Sequence, residues 1–330
     1  MTKFKVIITD YEYANIDHEK RILSKIGAQI FPYQTKDENE IIAAAHDCDA
    51  LIVQYAKITS KVIDQLHKCK IIAKYATSIE TIDIEAASKN GICVTNVPDY
   101  CTDEVSTHAA AMLLNLSRKI NSYSTAISNG KWDYKIGSPI ANLKKSIIGV
   151  IGFGKISSAF IQKLRPFCDE IWVYSSSASE DSVNQLGAKL KSFDAIVKEA
   201  DYISIFSPLT NATRNLFNKD VFKAMKNTAF MINISRGGLV NEDDLIWALK
   251  NNKLAGAALD VMEFEPPLET NALLTMDNVI ITTHAAWYST DSQHKLQTSV
   301  AADVAKVLSG YLPDNLVNPQ VNQILKLITY

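Results

Sequence analysis

Ser146-Ile-Ile-Gly-Val-Ile-Gly-Phe-Gly-Lys-Ile-Ser157 lies near the middle of the chain. Its apolar run from Ile147 to Ile151 reads as a short buried strand. The run breaks into Gly152-Phe-Gly154, and a helical pattern follows from Ile156 to Arg165, stopped by Pro166. A strand, a tight glycine turn and a helix N-terminus together hold the pyrophosphate of a dinucleotide. Gly152 permits the turn, Gly154 lets backbone come close to phosphate, and the helix dipole faces the anion. A lone glycine fingerprint is weak evidence and also fits a plain strand–helix turn. Here the third glycine is Ser157, and the flanking strand and helix are what strengthen the reading.

The rest of the chain extends this pattern on both sides. Before the fingerprint, strands are expected at Phe4–Thr9, Gln29–Tyr33, Ala50–Gln54, Lys70–Tyr75 and Cys93–Asn96. Helices are expected at His18–Ile26, Glu38–Ala45, Ser60–His67 and Ile82–Lys89. The strands are β-branched and nearly continuous in apolar residues, as in a parallel sheet covered on both faces. After Pro98, Thr102 is a good N-cap, Asp103 and Glu104 suit a first turn, and a long helix is expected to about Asn121. Later strands are expected at Ile171–Tyr174, Tyr202–Phe206, Ala229–Ile234, Ala255–Asp260 and Val279–Thr282. Helices are expected at Glu242–Lys250, capped by Asn241, and from Ser289 to about Ser309. The simplest organisation is a dinucleotide-binding domain (101–287) inserted into a substrate domain (1–100 plus 288–330), with hinges near 100 and 287.

Composition narrows the class. The 330 residues are 47% hydrophobic and 21% charged, with a formal net charge of −2, which is ordinary for a globular enzyme. Lys and Arg are dispersed, so neither nucleic acid nor a membrane surface is an expected partner. No stretch approaches the roughly 20 apolar residues of a membrane span. The N-terminus lacks the apolar run of a signal peptide. Cys48, Cys69, Cys93, Cys101 and Cys168 are scattered, which fits free thiols in a reducing cytoplasm.

Four further segments, in register with the glycine turn, carry a resemblance. They are Val97-Pro-Asp-Tyr-Cys-Thr-Asp-Glu-Val105, Met231-Ile-Asn-Ile-Ser-Arg-Gly-Gly-Leu-Val-Asn241, Ala258-Leu-Asp-Val-Met-Glu-Phe-Glu-Pro-Pro267 and Thr282-Thr-His-Ala-Ala-Trp-Tyr-Ser289. The chain resembles the D-isomer-specific 2-hydroxyacid dehydrogenases over essentially its whole length. The His-Ala-Ala-Trp-Tyr-Ser run looks most like the C-terminal-binding-protein branch. The resemblance implies an α/β architecture of two doubly wound, Rossmann- or flavodoxin-like parallel-sheet domains with a cleft between them. It also implies a homodimer, with the helix from Thr102 and the segment through Trp132 at the interface.

The same resemblance implies roles for single residues. Arg236 corresponds to the arginine that binds the substrate carboxylate and carbonyl oxygen, a task suited to a planar bidentate cation. His284 corresponds to the general acid/base, and Glu265 to the carboxylate paired with it. Each would be unremarkable alone: a surface arginine beside a Gly-Gly turn, a strand-end histidine, a solvated glutamate before proline. Thr283 stands where relatives often carry proline. Asp260 matches an aspartate that would orient the nicotinamide, its alternative being a strand-end turn residue. Phe153, Lys155, Ile156, Pro208, Thr213 and Ser235 fall with Gly152 and Gly154 at cofactor-binding positions, and no metal is expected.

Two departures bear on specificity. In Tyr75-Ala-Thr-Ser-Ile-Glu80, Ala76 and Ser78 replace the glycines of a loop whose amides hold the substrate carboxylate in the family; Thr77 and Ser78 are its expected contacts. A positive φ at Ser78 would strain it. Tyr100 and Trp287 match pocket-lining positions, implying a side chain larger than methyl, although both also suit an apolar core. Where NAD-specific relatives carry an acidic residue after the second strand, this chain has Ser175 and Ser176. NADP(H), or use of both NADP(H) and NAD(H), is therefore favoured, although no arginine follows to clamp a 2′-phosphate. Phe206 replaces a frequent histidine. The expected function is hydride transfer between NAD(P)H and a 2-oxo acid/D-2-hydroxy acid pair with a medium or large apolar side chain. The alternatives are a dinucleotide-sensing corepressor-like protein and a phosphite-type dehydrogenase on the same scaffold.

Overall fold

The computed structural model describes residues 3–329. The β-branched runs of the first hundred residues become β1 (Phe4–Ile8), β2 (Ala28–Pro32), β3 (Ala50–Val53), β4 (Ile71–Lys74) and β5 (Cys93–Thr95). They form one sheet in the order β2-β1-β3-β4-β5, parallel throughout. β3 and β4 are buried at every position, the pattern of strands covered on both faces. The second run of strands is β6 (Ile147–Ile151), β7 (Glu170–Tyr174), β8 (Lys189–Leu190), β9 (Tyr202–Ile205), β10 (Phe230–Asn233), β11 (Gly256–Leu259) and β12 (Val279–Ile281). Their order is β12-β11-β10-β9-β6-β7-β8, again parallel. This is the doubly wound order, which reverses between β6 and β9. Ligands of such sheets bind outside the carboxyl ends of the strands at that reversal.

The chain divides into two units, residues 1–100 with 289–330 and residues 101–288. In the first, the helix Thr290–Leu308 packs on the helix Asp17–Leu23 and on β4. Ser289 caps it by accepting from the Ser292 amide at 2.9 Å. Fully buried Glu19 accepts from the Tyr75 hydroxyl at 2.6 Å and from Gln297 Nε2 at 3.1 Å. Burial pushes the Glu19 carboxyl above its usual range against these hydrogen bonds. After the helix, Asn318 Oδ1 accepts from the Val94 amide at 2.8 Å. The second unit is built on a core around Ile203, Phe217, Phe222, Met231 and Leu245.

Most element ends lie within two residues of expectation, but three differences have physical causes. The long helix ends at Arg118 rather than near Asn121, because Lys119 adopts φ 55°. Its ammonium lies 4.4 Å from the Phe230 ring centre, and a separate helix, Ile120–Ser128, follows. Thr102 is the first helical residue, not the cap; Cys101 occupies the cap position and makes no side-chain cap bond. The helix expected over Ser60–His67 stops at Ile63, where Gln65 and Leu66 donate to Val62 and Ile63 in tighter turns. All five cysteines are free and buried. Among the described residues no helix is long and apolar enough to cross a membrane.

Candidate active site

The glycine turn sits where the order of the second sheet reverses. Gly152 has φ 101° and donates to Tyr174 O at 2.8 Å. A Cβ on it would lie 2.7 Å from Ser207 N and 2.8 Å from the Phe206 carbonyl carbon. Only glycine allows this approach of the ends of β6 and β9. Gly154 precedes the helix Lys155–Leu164, and a Cβ there would meet no protein atom within 4 Å. Gly154 and Lys155 are exposed, with Phe153 and Ile156 half-buried beside them. This open approach to a helix N-terminus fits a pyrophosphate. Ser157, 1% exposed, accepts from the Gly154 amide at 2.8 Å and donates to the Gly154 carbonyl at 3.0 Å. Its hydroxyl thus closes the first helical turn. Phe206 packs against Phe160 of this helix, ring centres 4.9 Å apart.

The neighbouring strand ends bring the other cofactor candidates to the same edge. Ile151 pairs with Tyr174, so Ser175 follows beside the glycine turn. Its hydroxyl accepts from the Ser177 and Ala178 amides, both at 3.2 Å, and Ser176 is exposed. After β9, Thr213 donates to Pro208 O at 2.7 Å. After β10, Ser235 donates to Ser207 O at 2.6 Å.

Arg236, Glu265 and His284 converge within this unit. His284 Nδ1 lies 2.7 Å from Glu265 Oε2, and Glu265 Oε1 accepts from the Met262 amide at 2.9 Å. Burial raises the Glu265 carboxyl, but the His284 and Met262 hydrogen bonds and the charges of His284 and Arg236 together bring it below its usual range. The hydrogen bond to Glu265 lifts His284, against burial and the Arg236 charge. The proton in this contact therefore rests on Nδ1. Arg236 Nη1 donates to Ser235 O at 2.7 Å. Its carbonyl accepts from Asn233 Nδ2 at 3.0 Å. A Cβ at the next residue, Gly237, would overlap the Met262 carbonyl, so a glycine is what lets the Arg236 segment lie against the segment carrying Glu265.

Asp260, 1% exposed, turns its carboxylate on the histidine segment. Oδ1 accepts from Thr282 Oγ1 at 2.5 Å and the Ala285 amide at 2.9 Å; Oδ2 accepts from the Ala286 amide at 3.0 Å. Its own carbonyl accepts from the His284 amide at 2.8 Å. His284 takes φ 53°, a left-handed conformation rare for a residue with a side chain. The sequence expectation of a nicotinamide contact did not anticipate this structural use of Asp260.

The substrate candidates lie in both units. Thr77, Ser78 and Tyr100 belong to the first and Trp287 to the second. Thr77 O accepts from Asn96 Nδ2 at 2.6 Å. Neither Ala76 nor Ser78 is among the positive-φ residues, so the loop keeps its course without glycine and Ser78 carries no such strain. Trp287 stacks edge-on against Tyr288, ring centres 5.6 Å apart. Sequence reasoning missed Asn233, Thr282 and His108, whose Nε2 lies 3.0 Å from Thr282 Oγ1. A single histidine inside a helical pattern gives no signal of its partner 174 residues away.

Comparison with known proteins shows which family the chain is similar to. The NAD binding domain of the D-isomer specific 2-hydroxyacid dehydrogenases matches residues 110–286. A D-3-phosphoglycerate dehydrogenase of Methanocaldococcus jannaschii is 33% identical across 97% of this chain, which spans 60% of that protein's length. A glyoxylate reductase of Korarchaeum cryptofilum is 32% identical across 92% of this chain and 95% of its own. The crystal structure of a D-lactate dehydrogenase from Aquifex aeolicus, complexed with NAD and lactic acid, superposes with a TM-score of 0.84. It is 25% identical and covers 95% of this chain and 99% of that one. The chain belongs to the D-isomer-specific 2-hydroxyacid dehydrogenase family.

Gly237→Ala tests the backbone contact that brings Arg236 to Glu265. Overpacking against a main-chain carbonyl is expected to cost about 3 kcal/mol, read as a lower urea midpoint at unchanged slope. A midpoint equal to that of the parent would show that the two segments part freely.

Proposed function

We propose that this protein catalyses reversible hydride transfer between a nicotinamide dinucleotide and a 2-oxo acid/D-2-hydroxy acid pair. The observation that carries the reading is the 2.7 Å contact of His284 Nδ1 with Glu265 Oε2, set beside the Arg236 charge that both groups feel. When bound, the nicotinamide gives or takes the hydride. With Nδ1 engaged by Glu265, His284 exchanges its proton through Nε2. It donates to the forming alkoxide in reduction and accepts from the alcohol in oxidation. Arg236 offers paired donors to the carboxylate and polarises the carbonyl, an electrostatic contribution of roughly 3 kcal/mol. The resemblance to the family supports the backbone amides around Thr77 and Ser78, in the first unit, as an anion contact. The aromatic residues Tyr100 and Trp287 support a medium or large apolar side chain.

Several finer assignments belong to the same proposal. Gly152, Phe153, Gly154, Lys155, Ile156, Pro208, Thr213, Ser235 and Asp260 serve the dinucleotide. Residues 175–178 bear no acidic side chain to repel a 2′-phosphate, which supports NADP(H) or dual use. The His-Ala-Ala-Trp-Tyr-Ser run supports the C-terminal-binding-protein-like branch, and five buried free thiols suit the cytoplasm. The protein forms a homodimer through the helix from Thr102 and the following segment. There Ile120 (57% exposed), Ile127 (53%), Trp132 (90%) and Tyr134 (79%) present an apolar surface. Sedimentation velocity is expected to give a dimer, and a monomer at micromolar concentration would end that assignment.

The principal test is consumption of NADPH and of NADH with 2-oxo acids from glyoxylate and pyruvate to branched and aromatic ones, with product chirality scored. D-configured product and higher kcat/KM with NADPH, or comparable values with both cofactors, are expected. Absence of turnover on the whole panel would overturn the activity, and a large NADH preference the cofactor assignment. His284→Ala is expected to lower kcat by about 10²–10⁴-fold with cofactor Kd nearly unchanged. Arg236→Lys is expected to impair substrate use strongly, because a point charge replaces a fork.

The direction of the pKa shifts sets the pH dependence. Reduction needs protonated His284, so kcat/KM is expected to hold at low pH and fall as pH rises through the histidine pKa, which Glu265 lifts above the usual value of about 6.5. Glu265→Gln removes that lift, so the fall should move to lower pH. An unmoved pH profile would separate Glu265 from the proton transfer.

A further inference from the structure

The helix Thr102–Arg118 packs against β10, β11 and the helix Lys155–Leu164, and carries His108 half-buried. His108 Nε2 lies 3.0 Å from Thr282 Oγ1 and 3.7 Å from Asp260 Oδ1. The Thr282 hydroxyl owns one proton and donates it to Asp260 Oδ1 at 2.5 Å. Its oxygen is therefore the acceptor in the contact with His108, and Nε2 of His108 carries a proton. Asp260 in turn gathers the Ala285 and Ala286 amides on its carboxylate and the His284 amide on its carbonyl. A continuous row of donors and acceptors thus runs from His108 to the backbone of His284. That backbone holds φ 53°, a conformation that persists only where its surroundings over-determine it.

We propose that His108 is a positioning residue for the acid–base histidine. By donating to Thr282 it fixes the direction of the threonine hydroxyl, and through Asp260 it fixes the segment 282–286 from which the His284 imidazole reaches Glu265. The proposal rests on the reading of His284 as the proton-transfer group. His108 acts through Thr282 and Asp260, so its removal acts on the rate of the step and not on capture of the acid.

The test uses the whole protein and four variants: His108→Leu, Thr282→Val, the double variant and His108→Gln. The first two are expected to lower kcat for 2-oxo acid reduction about tenfold, within the roughly hundredfold effect of a 1 Å misplacement, with KM for the acid nearly unchanged. The double variant should lose no more than Thr282→Val, because both act through one row. His108→Gln, which keeps an N–H near the Nε2 position, should recover most of the rate. In parallel, the His284 Cε1–H resonance, followed by NMR, should shift in His108→Leu and return in His108→Gln. Values of kcat within twofold of the parent with an unmoved resonance would overturn the proposal. So would multiplied losses in the double variant, or a loss that tracks a lowered unfolding midpoint without rescue by glutamine. If the parent turns over no 2-oxo acid, the reading of His284 fails; the resonance still decides whether His108 positions it.

Discussion

The buried carboxylate of Asp260 is the constraint on which the rest of the site depends. Three donors from residues 282–286 converge on its two oxygens, and a buried acceptor set left unsatisfied is costly. Asp260 follows β11, and its amide donates to Asn233 O at the end of β10. Asn233 then holds both the Ser235 amide and the Arg236 carbonyl through its side chain. Two buried polar residues on neighbouring strand ends thereby suspend the arginine and the histidine segments. Parallel pairing fixes their spacing, since Asn233 is in register with Leu259, the residue before Asp260.

Much of this was legible in the sequence for physical reasons. Strands covered on both faces must be apolar without interruption, so the twelve-strand pattern was nearly complete; only the two-residue β8 escaped, being too short for periodicity to register. The turn at Gly152 was legible because a positive φ and a close approach to Ser207 both demand glycine. Sheet order was not legible, since it depends on pairing between distant segments. Nor was the break at Lys119, where a residue of good helix propensity takes a left-handed conformation and its ammonium lies over the Phe230 ring.

The site itself was legible in part. Arg236, Glu265 and His284 stood out through their motifs, and the structure brings them into one electrostatic group. Their supports were hidden, because Asn233, Thr282 and His108 are ordinary residue types at ordinary positions and gain meaning only from contacts across the fold. Ser78 shows the opposite case. A missing glycine in the sequence suggested strain, yet the loop needs no left-handed residue there, since any residue type offers an amide.

The interrupted order of the first unit has a consequence for how the molecule is made. Its sheet is formed from residues 4–95, but the helix packed on Asp17–Leu23 and β4 comes from residues 290–308, and the edge at Val94 waits for Asn318. At a synthesis rate of roughly 5–20 residues per second, about ten seconds or more separate the first sheet from its cover. The second unit, continuous from 101 to 288, has its whole sequence earlier. The first sheet is thus translated well before the helix that covers it, and the whole of the second unit is translated in between.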